Sequence, residues 1–382
     1  MSIRTTMSMT FAAAVLLACG GGGAVDQVAS DSTRFDIRSG DWPVVTLSET
    51  TDVAWTTGGF MANPDDEVSS RGGVTGLVSL PGSRYLLSEG ARVRVFDSTG
   101  AETWRFGREG AGPEEFNAIG WPCAVQGDTV VVMDQRNQRF AVLAAELGVV
   151  KLIPADQRSL REDGCSGRGE FMVQRTVRDS SGGPGQVVAE MVDASGAILH
   201  EVPGGTTGSY SIVGLGYSTL AMVDTLVMIG NPNSGEIRLL TEGGEYVRSL
   251  VWGAPRVSIT DDNIPERYGM SPAGLSPADM KAWWDKVRTR PRADNWPAFV
   301  QVRPDAAGRI WVMESFDREG GVRRWWVMSS TGQPLAQVQV PTSTRERILL
   351  MLGFVPDGIA LYYEDADGAP HVSVVRYPKE LR

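Results

Sequence analysis

A glycine-bearing turn recurs at a fixed interval and constrains this chain more than any other feature. The turns read Asp-Ser-Thr-Gly at Gly100, Ala-Glu-Leu-Gly at Gly148, Asp-Ala-Ser-Gly at Gly196 and Thr-Glu-Gly-Gly at Gly244. Each of these glycines lies 48 residues after the last. A further turn, Ser-Ser-Thr-Gly at Gly332, follows 88 residues later, one period plus an insertion of 40. A fixed period of this length is the mark of a fold assembled from stacked copies of one supersecondary unit.

Short runs rich in Val, Ile, Tyr and Trp flank every turn, such as Arg92–Phe96, Glu102–Phe106, Thr129–Met133, Phe171–Arg175, Thr225–Ile229 and Arg309–Met313. Bounded by Gly, Asp and Asn, they read as antiparallel strands. Four short strands in a unit of this size make one blade of a β-propeller. Six blades are predicted, over 74–107, 120–153, 165–203, 216–252, 298–340 and 347–378. The chain stops at Arg382, before the sixth unit completes its fourth strand. Asp36 to Thr57 holds spare strand pattern and is expected to supply that strand, closing the ring. The fold class is therefore all-β: a six-bladed propeller of four-stranded blades, closed by an N-terminal strand, with a helical insertion at about 255–295 between blades four and five.

The run Val131-Val132-Met133-Asp134-Gln135-Arg136-Asn137-Gln138-Arg139-Phe140 resembles the strand–turn–strand core of NHL-repeat propellers, with Asp134, Asn137 and Arg139 at matching places. The stretch from Val93 through Gly107-Arg108-Glu109-Gly110-Ala111-Gly112-Pro113-Glu114-Glu115-Phe116 resembles their interblade segment. The likeness is good over two blades and blurred afterwards. It implies a fold and not a chemistry.

The first residues carry a separate message. One positive charge at Arg4 precedes a short apolar run, Phe11 to Ala18, with the length of a signal-peptide core. Leu16-Leu17-Ala18-Cys19 resembles the lipobox of bacterial lipoproteins. The resemblance implies removal of residues 1–18, lipid on Cys19 and a membrane anchor carrying more than one acyl chain. Residues 19–33 then read as anchor and Gly-rich linker, and 34–382 as the propeller. Gly20, where retained lipoproteins carry Asp, implies the outer membrane of the cell envelope. In an oxidising compartment, Cys123 and Cys165 suggest a disulfide. Both are expected at the start of the inner strands of blades two and three.

In a propeller, the turns between second and third strands share a face with the links between blades. The candidate ligand-binding residues on that face are Glu89, Arg92, Arg108, Asp134, Arg136, Asn137, Asn231 and Glu314. Gln174 and Glu364 share it, and the insertion leaves from it. There, Ser276-Pro277-Ala278-Asp279 is a helix start with a capping serine, and Met280, Trp283, Trp284 and Val287 form one stripe. Trp283 and Trp284 stack on a sugar or apolar ligand in one reading; in the other they pack the helix onto the rim.

The formal net charge of −10 argues against nucleic acid as a partner. The two histidines, His200 and His371, fall away from the channel mouth, which makes a Ser-His-Asp triad or a histidine zinc site improbable. No phosphate-binding loop, dinucleotide fingerprint or CxxC pair is present. Two roles remain. The favoured one is a monomeric, non-enzymatic envelope module that takes a protein, peptide or glycan and needs no cofactor or metal. The alternative is a calcium-dependent hydrolase or lyase of the lactonase-like propeller type, with Glu89, Asp134, Asn231 and Glu314 as ligands.

Overall fold

A computed structural model describes residues 42–47, 52–59, 67–68, 73–177, 185–206, 213–253, 256–267, 275–314, 322–341 and 347–382. All of these belong to a compact unit spanning Thr33–Arg382. The signal-peptide and lipobox positions, Cys19 among them, lie outside the described residues.

The chain enters through β1 (Val44–Thr46) and β2 (Val53–Gly58). Blade one follows as β3 (Val74–Leu80), β4 (Arg84–Glu89), β5 (Arg92–Phe96) and β6 (Glu102–Phe106). Blade two is β7 (Ile119–Gln126), β8 (Thr129–Asp134), β9 (Arg139–Ala144) and β10 (Gly148–Pro154). Blade three is β11 (Arg158–Cys165), β12 (Glu170–Val177), β13 (Gln186–Asp193) and β14 (Ile198–Thr206). Blade four is β15 (Thr219–Val223), β16 (Leu226–Asn231), β17 (Glu236–Thr241) and β18 (Tyr246–Val251). The insertion carries α1 (Ile264–Arg267) and α2 (Pro277–Arg288). Blade five is β19 (Gln301–Pro304), β20 (Ile310–Met313), β21 (Val322–Met328) and β22 (Pro334–Pro341). Blade six is β23 (Arg347–Val355), β24 (Gly358–Glu364) and β25 (Pro370–Arg376), and it takes β2 as its outer strand.

The closing strand is thus the expected one: Val53 pairs with Val375 and Gly58 with His371, antiparallel. The same N-terminal segment also does something that strand pattern did not announce. β1 runs parallel along the outer edge of blade five, Val44 opposite Gln337 and Thr46 opposite Gln339. The start of β2 is then tied to the end of the chain, since Asp52 receives the guanidinium of Arg376 at 3.0 Å and that of Arg382.

The glycines of the 48-residue period answer a local need and, at most of them, an interblade contact as well. Gly100, Gly196 and Gly244 sit between the third and fourth strands and Gly148 opens the fourth, all with φ between +86° and +93°. That left-handed conformation favours glycine. Gly100, Gly148 and Gly196 also press on the outer strand of the preceding blade, and Gly244 faces Val202 there with room to spare. A Cβ on Gly100 would lie 2.3 Å from the carbonyl oxygen of Thr56, and one on Gly196 would lie 2.9 Å from Ile153. The turn is where one blade locks onto the next.

The apolar core follows the same logic and lies between blades. One cluster joins blades one and two through Leu86, Val95, Phe116, Val130 and Leu143. Equivalent clusters fill every other interface round to blades six and one, where Trp55 of β2 meets Tyr85 and Phe96. Among the described residues, no helix is long and apolar enough to cross a membrane.

Blade three departs from expectation. It begins at Arg158, before the predicted start at 165, because β11 pairs with β12 at Arg158–Leu160 and again at Cys165 with an irregularity between. That break obscured the strand. It also corrects the positions of the cysteines: Cys123 lies in the middle of β7 and Cys165 ends β11. They are nevertheless disulfide-bonded, Cα–Cα 5.7 Å, joining blades two and three.

Candidate functional site

Glu89, Asp134 and Asn231 end the second strands of their blades and Glu314 follows one, whereas Gln174 lies within β12; most of these residues are tied into their own blades. Glu89 ends β4 and is completely buried. Arg92 Nε donates to it at 2.7 Å and Arg94 Nη1 at 3.3 Å. Arg94 continues to Glu102, so three elements of blade one share one charge network.

Asp134 ends β8 and is equally buried. Its Oδ1 accepts the Asn117 backbone N–H at 2.8 Å; its Oδ2 accepts Asn137 Nδ2 at 2.7 Å and Arg139 Nε at 3.0 Å. Asn137 also donates to the Gly110 carbonyl, and Arg139 to those of Ala111, Gly112 and Glu115. Asp134, Asn137 and Arg139 therefore latch the 108–116 loop. Within the loop, Glu115 accepts the Gly112 N–H and pairs with Arg108; these bonds hold its carboxyl below the usual range. The side chain of Arg108 is 78 % exposed. Arg136 is also exposed and reaches Asn117 Oδ1 at 3.3 Å.

In blade four, Asn231 caps its own turn by accepting the N–H groups of Asn233 and Ser234. In blade five, Glu314 receives Trp326 Nε1 at 3.4 Å. Glu89, Asp134, Asn231 and Glu314 thus each serve local partners. Among the described residues, no three His, Cys, Asp or Glu side chains are placed to share a metal ion.

The insertion packs Ile259, Ile264, Val287 and Trp296 around Val213, which precedes blade four, with Trp283 and Trp284 half-buried against them. The two tryptophans meet edge to face, centroids 4.5 Å apart. Ser276 caps α2 as its sequence implies, accepting the Asp279 N–H at 3.2 Å.

The centre of the ring contains residues that strand patterning did not single out. Arg303 on β19 is 2 % exposed. It donates through Nε and Nη2 to both oxygens of Asp163 on β11, at 2.8 and 2.9 Å. Blades five and three are not neighbours, so this pair crosses the axis. The guanidinium lies over Trp121 of blade two and Phe354 of blade six and donates to the Met351 carbonyl. Four blades thus converge on one cation. A charged residue between Val302 and Pro304, on the first strand of a blade, was the available signal. Its partner was hidden because blade three was read from Cys165. A second network, Arg158 and Arg175 on the buried Glu190, braces blade three.

No family model matches this chain, and no curated protein matches it. Solved structures do. A Bacteroides fragilis protein assigned to export superimposes with a TM-score of 0.50 and 10 % identity, over 88 % of this chain and all of that one. Streptogramin B lyase aligns with a TM-score of 0.42 and 10 % identity, over 85 % of this chain and 88 % of its own. At such identity the first of these likenesses is one of fold alone.

Proposed function

We propose that this chain is an extracytoplasmic, lipid-anchored propeller of the NHL type that binds a protein, peptide or glycan through exposed loops on the face just described. The observation that carries the reading is the Arg303–Asp163 pair at the axis. Groups from four blades fill the space around this pair, and all of them are engaged with one another. The carboxylates of the face are engaged by neighbouring cations and N–H groups. What this face offers a partner is its exposed surface: Arg108, Arg136 and the rim of the 108–116 loop. Extended surface of this kind suits a macromolecular partner. The lipobox-like Leu16-Leu17-Ala18-Cys19 and the Cys123–Cys165 disulfide both support a place outside the cytoplasm.

Two measurements test this. Cys19→Ser should fold normally and move from the membrane fraction to the soluble one; retention in the membrane refutes the anchor. Arg108→Glu with Arg136→Glu should abolish capture of the native partner from envelope extracts at an unchanged melting temperature. Unchanged capture refutes the assignment of the face.

A further inference from the structure

A second surface lies away from that face, on the outer strand of blade four. In antiparallel blades the fourth strand has a free edge, and exposed edges invite pairing with another chain. This molecule closes most of its edges by identifiable means. In blade one, Glu102 and Arg105 pair along β6 and place charge there. In blades two and three the edges carry Pro154 and Pro203, which have no N–H to donate. In blade five the edge is occupied by β1: Gln337 N–H donates to Pro43 O and Leu47 N–H to Gln339 O, both at 2.8 Å. In blade six, Trp55 pins β2 into blade one.

Among the described residues, β18 has none of these devices. Its sequence, Tyr-Val-Arg-Ser-Leu-Val, is proline-free and carries a single charge. Trp252 N–H turns inward to Gly235 O at 2.7 Å. By the alternation of an antiparallel ladder, the N–H groups of Val251 and Ser249 point away from β17. Ser249–Val251 stand five to seven residues after Gly244, and Gln337–Gln339 stand at the same distance after Gly332. The register that receives β1 on blade five is therefore reproduced on blade four. Beside it, Tyr246 is 54 % exposed and Val247 38 %. An aromatic chain links the two blades: Trp42 ahead of β1 meets Trp326 of β21 edge to face, and Trp326 meets Trp252 at the end of β18 in the same way.

From this we infer that the outer edge of β18 is a docking site for an extended segment of a partner protein, added as a parallel strand in the way β1 is added to β22. The occupant is an extended run of about four to six residues rich in Val and Thr, like β1, seated by main-chain hydrogen bonds and by Tyr246 and Val247. This site is independent of the loop face proposed above.

The probe is a fluorescent peptide of the β1 sequence, Asp41–Thr50, titrated into the full chain. Saturable binding at one site per chain is expected, weakened about tenfold or more by Val251→Pro and by Tyr246→Asp, and abolished by N-methylation of alternate peptide residues. Photo-cross-linking should map the peptide to β18. Absence of saturable binding, a cross-link to β22 in place of β18, or equal binding by Tyr246→Asp overturns the proposal. Tyr246→Asp is surface-exposed and decides the matter if Val251→Pro fails to fold. Sedimentation at rising concentration gives the remaining outcome: a dimer that Tyr246→Asp dissociates would assign the edge to a second copy and overturn the foreign segment.

Discussion

Arg303 and Asp163 meet across the axis of the ring, two hydrogen bonds of 2.8 and 2.9 Å joining blades that share no interface. Both side chains are buried or nearly so, at 3 and 12 % exposure. Removing one member leaves the other charge uncompensated in a low-dielectric interior. Asp163→Ala or Arg303→Ala should therefore cost about 3–5 kcal/mol in urea unfolding. A double replacement by apolar residues, Arg303→Met with Asp163→Leu, should recover most of that loss. A double variant as unstable as the singles would show that the pair does not act as a unit.

The turn glycines separate two kinds of strain. Gly127 has φ +55° and open space around it, so Gly127→Ala should cost about 1 kcal/mol from the backbone alone. Gly100→Ala adds a collision with Thr56 O to a similar backbone penalty, and about 2–4 kcal/mol is expected. Thermal unfolding of the two variants side by side checks the difference. Equal losses would mean that blade six yields easily at its outer strand.

The disulfide closes a sequence separation of 42 residues. Cys123→Ala with Cys165→Ala should lower stability by about 4 kcal/mol on the chain-entropy model. Intact mass before and after reduction should differ by two hydrogens. No mass shift would contradict the bond.

Asp134 holds the 108–116 loop through Asn117, Asn137 and Arg139. Asp134→Ala removes the common acceptor from all three. A loss of about 2–4 kcal/mol is expected, with faster tryptic cleavage at Arg108 from local opening. Unchanged cleavage would place the loop's order in its internal Glu115 bonds.

Stability should also report the carboxylates. Thr99 bonds lower the pKa of Asp97, Ser195 bonds that of Asp193, and His371 that of Asp365, each below its ordinary 3.8. A lowered folded-state pKa gives stability that is present above the unfolded value and is lost as pH falls through the folded one. The melting temperature should hold near neutrality and drop below about pH 4. At the other end, burial and Asp357 push the Tyr85 phenol up to about 12. A raised value gives stability that is lost as pH rises from 10 through that range. Melting curves across both limits check the two signs.

The repeat could be read without coordinates because it is local. A left-handed turn needs glycine wherever it occurs, and a half-buried strand needs alternating apolar residues. Those rules placed five of the six blades within a few residues. The exception, blade three, failed where β11 breaks its pairing between Leu160 and Cys165. The candidate face was legible in the same sense: Glu89, Asp134, Asn231 and Glu314 stand where strand ends put them. Whether such residues meet one another depends on side-chain partners, and in each case a neighbour in the same blade engages it.

By itself, then, the sequence determined the unit, its number and the strand that closes the ring, because each follows from short-range backbone preference and periodicity. The tertiary structure decided the rest. Arg303 finds Asp163 from 140 residues away, and β1 finds β22 from the opposite end of the chain. Such meetings carry no local signature. They arise only once closure brings remote segments to one axis or one edge, where a buried charge requires a counter-charge and an exposed edge can take another strand.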